Sequence, residues 1–207
     1  SVRPHVEVVA AVPNNGSAYA PNIIPAALWL GAGIAAFLVH VRVMPREARE
    51  FSRIAQLLGK IAVPAGVVLL QALLVMLASL WVLHVEVANL GAFALTLAVS
   101  ALTFLVIVFA LTRAIGDAGK ALSILFLAVQ LSSSGGIIPV ELSGGLYAEL
   151  SPWLPLTWVV KAMKAAMFGA FENAWQSPLL LVAAIGAAGA LLASVVGSWR
   201  YVEQAAI

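Results

Sequence analysis

Five stretches of this chain, at about 22–41, 61–83, 87–111, 121–140 and 178–198, contain no Asp, Glu, Lys or Arg. Each is close to the ~20 apolar residues that carry a helix across the hydrocarbon core of a bilayer. That core leaves no water for open backbone groups, so such stretches fold as helices. The expectation is an all-α fold, a polytopic membrane helix bundle of five spans. Composition agrees: 63% of residues are hydrophobic and 10% are charged, against about 25% charged in a soluble domain. The net charge of +2 is too mild to suggest nucleic acid, and membrane lipid is the expected surrounding. No cysteine occurs, which excludes disulfides, thiolate metal sites and cysteine nucleophiles.

Residues 1–21 read as a polar linker, with Asn14, Asn15 and Gly16 as turn formers. The membrane domain is expected over 22–207. The chain starts at Ser1 with no basic-then-apolar leader. It reads as a fragment whose N-terminal part is missing, or as a processed or trimmed chain.

Between the first two spans, Arg46, Arg49, Glu50 and Arg53 recur at helical spacing, with Phe51, Ile54, Ala55 and Leu58 on the opposite side. This predicts a short amphipathic helix over 46–58, lying along the membrane surface with its charges in water. Two readings stay open: a solvated loop helix, or a docking surface for a cytoplasmic partner. Gln71 is expected to bond across helices. The pairs Gly31 with Ala35 and Gly186 with Ala190 allow close helix approach. Thr96, Ser100 and Thr103 can bond back to their own helix carbonyls and so need no functional role. The short link at 84–86 makes spans two and three antiparallel neighbours.

Charge sets the orientation. The segments at 42–60, 113–120 and 200–207 hold eight basic residues, whereas the other side holds Arg3, Lys161 and Lys164. Positive charge favours the cytoplasmic side. That makes 130–177 extracytoplasmic and the C-terminus cytoplasmic.

The stretch 130–171 does not end as a span usually does. It turns small and polar at Ser132, Ser133, Ser134, Gly135 and Gly136. Pro139, Gly144, Gly145, Pro152 and Pro155 then punctuate it. This predicts a re-entrant or interfacial element that helps to form a pathway or gate. The serines invite a hydrolase reading, but that chemistry needs a base such as His. His40 falls at the opposite end of its span and His84 lies in a bare hairpin, so the serines are read as capping groups. No enzyme, cofactor or metal is expected. Spans without charge also argue against an autonomous ion-driven carrier. Any energy must enter from elsewhere, with 42–60 as the natural input. Tyr147, Trp153, Trp158 and Trp175 fit an interfacial belt. Lys161 and Lys164, on a mixed apolar and basic helix, either meet lipid phosphates or only snorkel.

Three blocks carry a family resemblance: Gln130-Leu131-Ser132-Ser133-Ser134-Gly135-Gly136, then Pro139-Val140-Glu141-Leu142, then Leu154-Pro155-Leu156-Thr157-Trp158. They resemble the C-terminal membrane domain of the YhgE/Pip family, within the ABC type-2 permease superfamily. Trp158 stands where that pattern has Tyr. Pro13-Asn14-Asn15-Gly16, Tyr19-Ala20-Pro21 and Leu28-Trp29-Leu30-Gly31 are similar to the family's entry into this domain.

The resemblance implies a multi-pass protein of the bacterial cytoplasmic (inner) membrane, with six spans per protomer and homodimer pairing. It implies a cytoplasmic coupling helix at the position of Arg46, Arg49, Glu50 and Arg53. It also implies re-entrant extracytoplasmic helices where Ser133, Ser134, Gly135, Gly136, Pro139, Glu141, Pro155 and Thr157 fall. No phosphate-binding G-x-x-x-x-G-K-[ST] loop occurs, so an ATPase would be a separate cytoplasmic chain. The implied function is the permease subunit of an ABC-type exporter for an envelope-directed or amphipathic substrate. The alternative is a non-transporting anchor or receptor, associated with phage infection or secretion, that presents an extracytoplasmic domain.

Overall fold

The computed structural model describes residues 15–134 and 145–203. Among these, seven α-helices follow one another: α1 Asn15–Leu38, α2 Arg53–Trp81, α3 Leu90–Ile115, α4 Asp117–Ser133, α5 Gly145–Leu150, α6 Pro155–Phe168 and α7 Gln176–Val195. Two short strands, β1 Val43–Pro45 and β2 Arg200–Val202, pair in parallel. A 3-10 turn, Arg46–Glu50, follows β1. Four helices, α1, α2, α3 and α7, are long and apolar enough to cross a membrane. The chain is an all-α membrane bundle.

Helix ends explain where the observed boundaries differ from the expected ones. α1 starts at Asn15, within the expected linker, and carries Pro21 and Pro25. Phe51 is extended, and Ser52 then accepts from the Ala55 N–H as an N-cap. The expected amphipathic helix over 46–58 is therefore divided. Its first part is the 3-10 turn and its second part is the opening of α2. The expected polar loop at 113–120 is almost wholly helical, broken only at Gly116, whose φ of +64° suits glycine. An added Cβ at Gly119 would strike the Leu111 carbonyl, which is why α3 and α4 close into a tight hairpin. α4 has 17 residues, which at about 1.5 Å each is shorter than a bilayer core of ~30 Å.

α3 is the centre, packing against α1, α2, α4, α6 and α7. Trp29 fills the middle of the core. Its ring meets Phe104 at 5.0 Å and Phe126 at 5.6 Å, both edge-on. Its indole N–H donates to the Ser123 carbonyl at 3.1 Å, so the one polar atom of the side chain is satisfied.

Small residues set the closest approaches, as the pairs in the sequence suggest. Gly31 leaves room for the Gln71 amide. That amide donates to the Ala27 carbonyl at 3.1 Å, joining α2 to α1. Gly186 lies against Thr103, where an added Cβ would sit 2.6 Å from the hydroxyl, and Gly189 lies against Val106. α7 thus runs parallel to α3 in close contact. Thr103 donates across to the Val182 carbonyl at 3.2 Å rather than back along α3. The hydroxyls of Thr96 and Ser100 are buried without a partner, so back-bonding is not observed for these three. Ser79, Ser123 and Ser132 do bond back, to the carbonyls four residues earlier.

Candidate functional site

Two regions gather the residues singled out in the sequence, one at each end of the bundle. At the first end, α1 finishes, α2 starts, α3 meets α4 and α7 finishes. Six arginines collect there: Arg42, Arg46, Arg49, Arg53, Arg113 and Arg200. The strand pair joins them, with Val43 opposite Arg200 and Pro45 opposite Val202. The Arg200 N–H also donates to the Arg42 carbonyl at 2.7 Å. The segment after α1 is therefore tied to the segment after α7.

Side chains repeat that tie. Arg46 pairs with Glu203 at 3.1 Å. The Arg49 guanidinium lies 4.6 Å from the Tyr201 ring centre. Arg53 donates to the carbonyls of Val195 and Gly197 at 3.2 and 3.1 Å. These carbonyls lie at and just beyond the end of α7, where backbone acceptors lack helical partners. Buried Gln56 donates to the Ala48 and Phe51 carbonyls and accepts from the Tyr201 hydroxyl. Of the four residues expected on the coupling helix, Arg46, Arg49 and Arg53 engage the C-terminal segment. Glu50 is exposed.

Between these groups opens a cleft of about 350 Å³, lined by Arg49, Phe51, Arg53, Gln56, Arg113, residues 197–199 and Tyr201. Among the described residues, no carboxylate lines it. Arg113 is fully buried. Its Nε donates to the Ala193 carbonyl at 3.1 Å, and its guanidinium stacks 3.9 Å from the Trp199 ring centre. Sequence reading placed Arg113 in a loop and missed Gln56, Trp199 and Tyr201 altogether. Gly116 was the available signal for Arg113: a glycine just past a helix end puts Arg113 in the last turn of α3.

The second end carries the motif residues. Gln130, near the end of α4, accepts the Leu156 N–H on its Oε1 at 3.1 Å. Leu156 follows Pro155, the first residue of α6, where the missing proline N–H costs nothing. The two motif blocks thus meet: one supplies the cap for the helix that the other begins. The other end of α6 is closed similarly. The carbonyls of Ala166 and Met167 accept N–H groups from Asn89 and Ala88 at 2.9 and 2.8 Å. Both ends of α6 are therefore fastened at the same end of the bundle, beside the start of α3 and the end of α4.

With its terminal groups satisfied, α6 is an interior helix, and ten of its 14 residues are buried. The expected mixed surface helix is confined to one edge, where Lys161 lies 4.7 Å from the Trp158 ring centre. Thr157 is buried and shares a hydrogen bond with Ser151 at 3.2 Å. Ser133 and Ser134 are buried, and their hydroxyls have no partner. Gly135, Gly136, Pro139 and Glu141 lie outside the described residues. Of the expected aromatic belt, Trp153 is 82% exposed, and Trp158 donates its indole N–H to the Pro152 carbonyl. Among the described residues, no cluster of His, Asp and Glu is arranged to hold a metal ion.

Comparison with known proteins adds two likenesses. The family described as ABC-2 family transporter protein matches residues 11–195. The uncharacterized protein YhgE of Bacillus subtilis (strain 168) is 29% identical over 99 residues, which is 47% of this chain and 13% of that protein. The chain thus spans well under two thirds of that relative's length. No solved structure matches.

Proposed function

Because the chain belongs to the ABC-2 family of transporter proteins, we propose that it forms the membrane-embedded part of an ABC-type exporter. Its substrate class is envelope-directed or amphipathic, and a separate cytoplasmic ATPase supplies the energy. One observation carries this reading. The 3-10 turn Arg46–Glu50 buries none of its residues, yet it is flanked by two ties to the segment at and after the end of α7: the strand β1 before it and Arg53 at the start of α2. A push on that turn reaches the end of α7. α7 lies along α3 and also packs on α6. The reading makes Arg46, Arg49, Glu50 and Arg53 the contact with the ATPase.

The same reading places the arginine-rich end in the cytoplasm of a bacterium, supported by the charge asymmetry. It makes α6 with its preceding turns a re-entrant element on the outer side, because both ends of α6 are fastened there. The gate would comprise Ser133, Ser134, Gly135, Gly136, Pro139, Glu141, Pro155 and Thr157. A homodimer belongs to the reading as well, and the family resemblance is its support.

The test is co-purification of the full-length protein with an ATPase from its own cells. Arg49→Glu and Glu50→Arg are expected to release the ATPase while the protein stays folded. If no ATPase accompanies even the unaltered protein, the coupling mechanism fails. In that case the anchor or receptor reading, which needs no ATPase, takes its place.

A further inference from the structure

Among the described residues, Arg113 is the one charged side chain that is fully buried. The coupling reading gives it no task. Its Nε is satisfied by the Ala193 carbonyl and its face by Trp199, but Nη1 and Nη2 have no hydrogen-bond partner. A guanidinium at the end of a membrane helix, out of water and without a counter-ion, is costly. Arg53 and Arg49 stand beside it in the same cleft, so the site concentrates positive charge, and none of the described residues that line it carries a negative charge. Glu203 is taken by Arg46 and Asp117 by Lys120. A planar fork with two free nitrogens, flanked by two more arginines, matches a phosphate oxyanion.

The surroundings indicate where such a phosphate would come from. Phe51, Trp199 and Tyr201 line the cleft. On α2, Ile54 and Leu58 follow Phe51 and stay exposed, and Val195 does so at the end of α7. A free phosphate ester would use the arginines alone. A phospholipid would use both features, with its headgroup among the arginines and its chains against the apolar faces of α2 and α7. We propose that the cleft is a phosphate site for the headgroup of an anionic phospholipid, anchored by Arg113 with Arg49 and Arg53 beside it. The proposal shares Arg49 and Arg53 with the coupling reading, but its anchor Arg113 and the ring of Trp199 take no part in that reading, so the two fail separately.

The experiment uses the full-length protein in detergent. Retained phosphatidylglycerol and phosphatidylcholine are counted by native mass spectrometry across a lipid titration. Phosphatidylglycerol is expected to be retained at about one tenth the concentration that phosphatidylcholine needs, a 1.4 kcal/mol preference. Arg113→Lys keeps the charge and removes the fork, and it should abolish most of that preference. Arg49→Gln changes an exposed residue, carries little risk to folding, and should weaken the preference severalfold. Trp199→Leu should weaken lipid retention while leaving any ATPase bound, which separates this site from the coupling surface. Equal retention of the two lipids overturns the proposal, as does a preference that survives both arginine substitutions. Displacement of phosphatidylglycerol by millimolar inorganic phosphate overturns the lipid source and assigns the cleft to a soluble phosphate. Displacement by a glutamate-rich peptide but not by phosphate overturns it in favour of a protein carboxylate.

Discussion

The two ends of the bundle bury polar groups by opposite means. Where α6 lies, polarity is neutral and caps backbone, although Gln130 Nε2 and the Ser133 and Ser134 hydroxyls are buried without a partner. Gln130 caps Leu156, and the N–H groups of Ala88 and Asn89 close the last carbonyls of α6. This lets α6 sit among apolar neighbours with the Leu156 N–H and the Ala166 and Met167 carbonyls satisfied, as a membrane interior demands. At the arginine-rich end, polarity is charged and incompletely spent. Arg53 caps the end of α7, but Arg113 keeps two nitrogens unpaired beside an open cleft. The first arrangement favours rigidity, and the second holds binding capacity in reserve. Removing a polar side chain should therefore destabilise the first end and spare the second.

The largest effect should come where the two ends are joined. α3 and α7 run side by side between them, and Gly186 permits the contact. In Gly186→Leu the new side chain meets the Thr103 hydroxyl at once, with the Thr103 Cβ and Cα close behind it. Overpacking of this kind costs about 3 kcal/mol. Thermal unfolding in detergent should show both ends lost together. If the arginine-rich end still retains lipid after α3 and α7 are forced apart, the ends are independent and the mechanical path is wrong.

Gln130→Leu is expected to cost about 2 kcal/mol, because it strands the Leu156 N–H in a buried site. Limited proteolysis should show the 145–168 region cut sooner than in the unaltered protein. Lipid retention at the other end should stay unchanged. A uniform loss of stability without local cleavage would contradict the capping role.

Arg113→Met tests the opposite end and should leave stability nearly unchanged. Losing one carbonyl bond and one ring contact is offset by removing a buried, unpaired charge. The expected change in unfolding free energy lies within about 1 kcal/mol of zero, while the phosphatidylglycerol preference disappears. A loss as large as that of Gln130→Leu would mean that Arg113 is a structural bolt.

These differences also explain what the sequence reveals and what it conceals. Four of the five expected spans, the bonding of Gln71 across helices and the close packing at Gly31 and Gly186 follow from hydropathy and residue size, which are local properties. The arginines at 46, 49 and 53 lie close in the sequence, but their partners are not visible there. Glu203, Tyr201 and the carbonyls of Val195 and Gly197 lie more than 140 positions away along the chain, and no periodicity links them. The helical spacing at 46–58 was genuine, yet Ser52 as an N-cap outweighed it and split the segment. Gln130 and Pro155 stood out as motif residues because of the resemblance. Their hydrogen-bonded relation came only from the folded backbone.

The smallest effect concerns how the turn at Arg46–Glu50 is held. Arg46 and Glu203 keep 60% and 75% of their side-chain surface exposed. An ion pair so open to water is screened by salt and contributes at most about 0.5 kcal/mol. The backbone pairing of β1 with β2 and the Arg200 N–H bond to Arg42 should do most of the holding. A double-mutant cycle of Arg46→Ala and Glu203→Ala is therefore expected to give a coupling energy below about 0.5 kcal/mol, vanishing at 1 M salt. A cysteine pair replacing Met44 and Tyr201, which face each other in the strand register, should form a disulfide in mild oxidant whether or not Arg46 is present. A coupling energy above 1 kcal/mol that persists in salt would show that charge fastens the turn. The arginine-rich end would then resemble the α6 end, with its ions spent on structure and little left to bind.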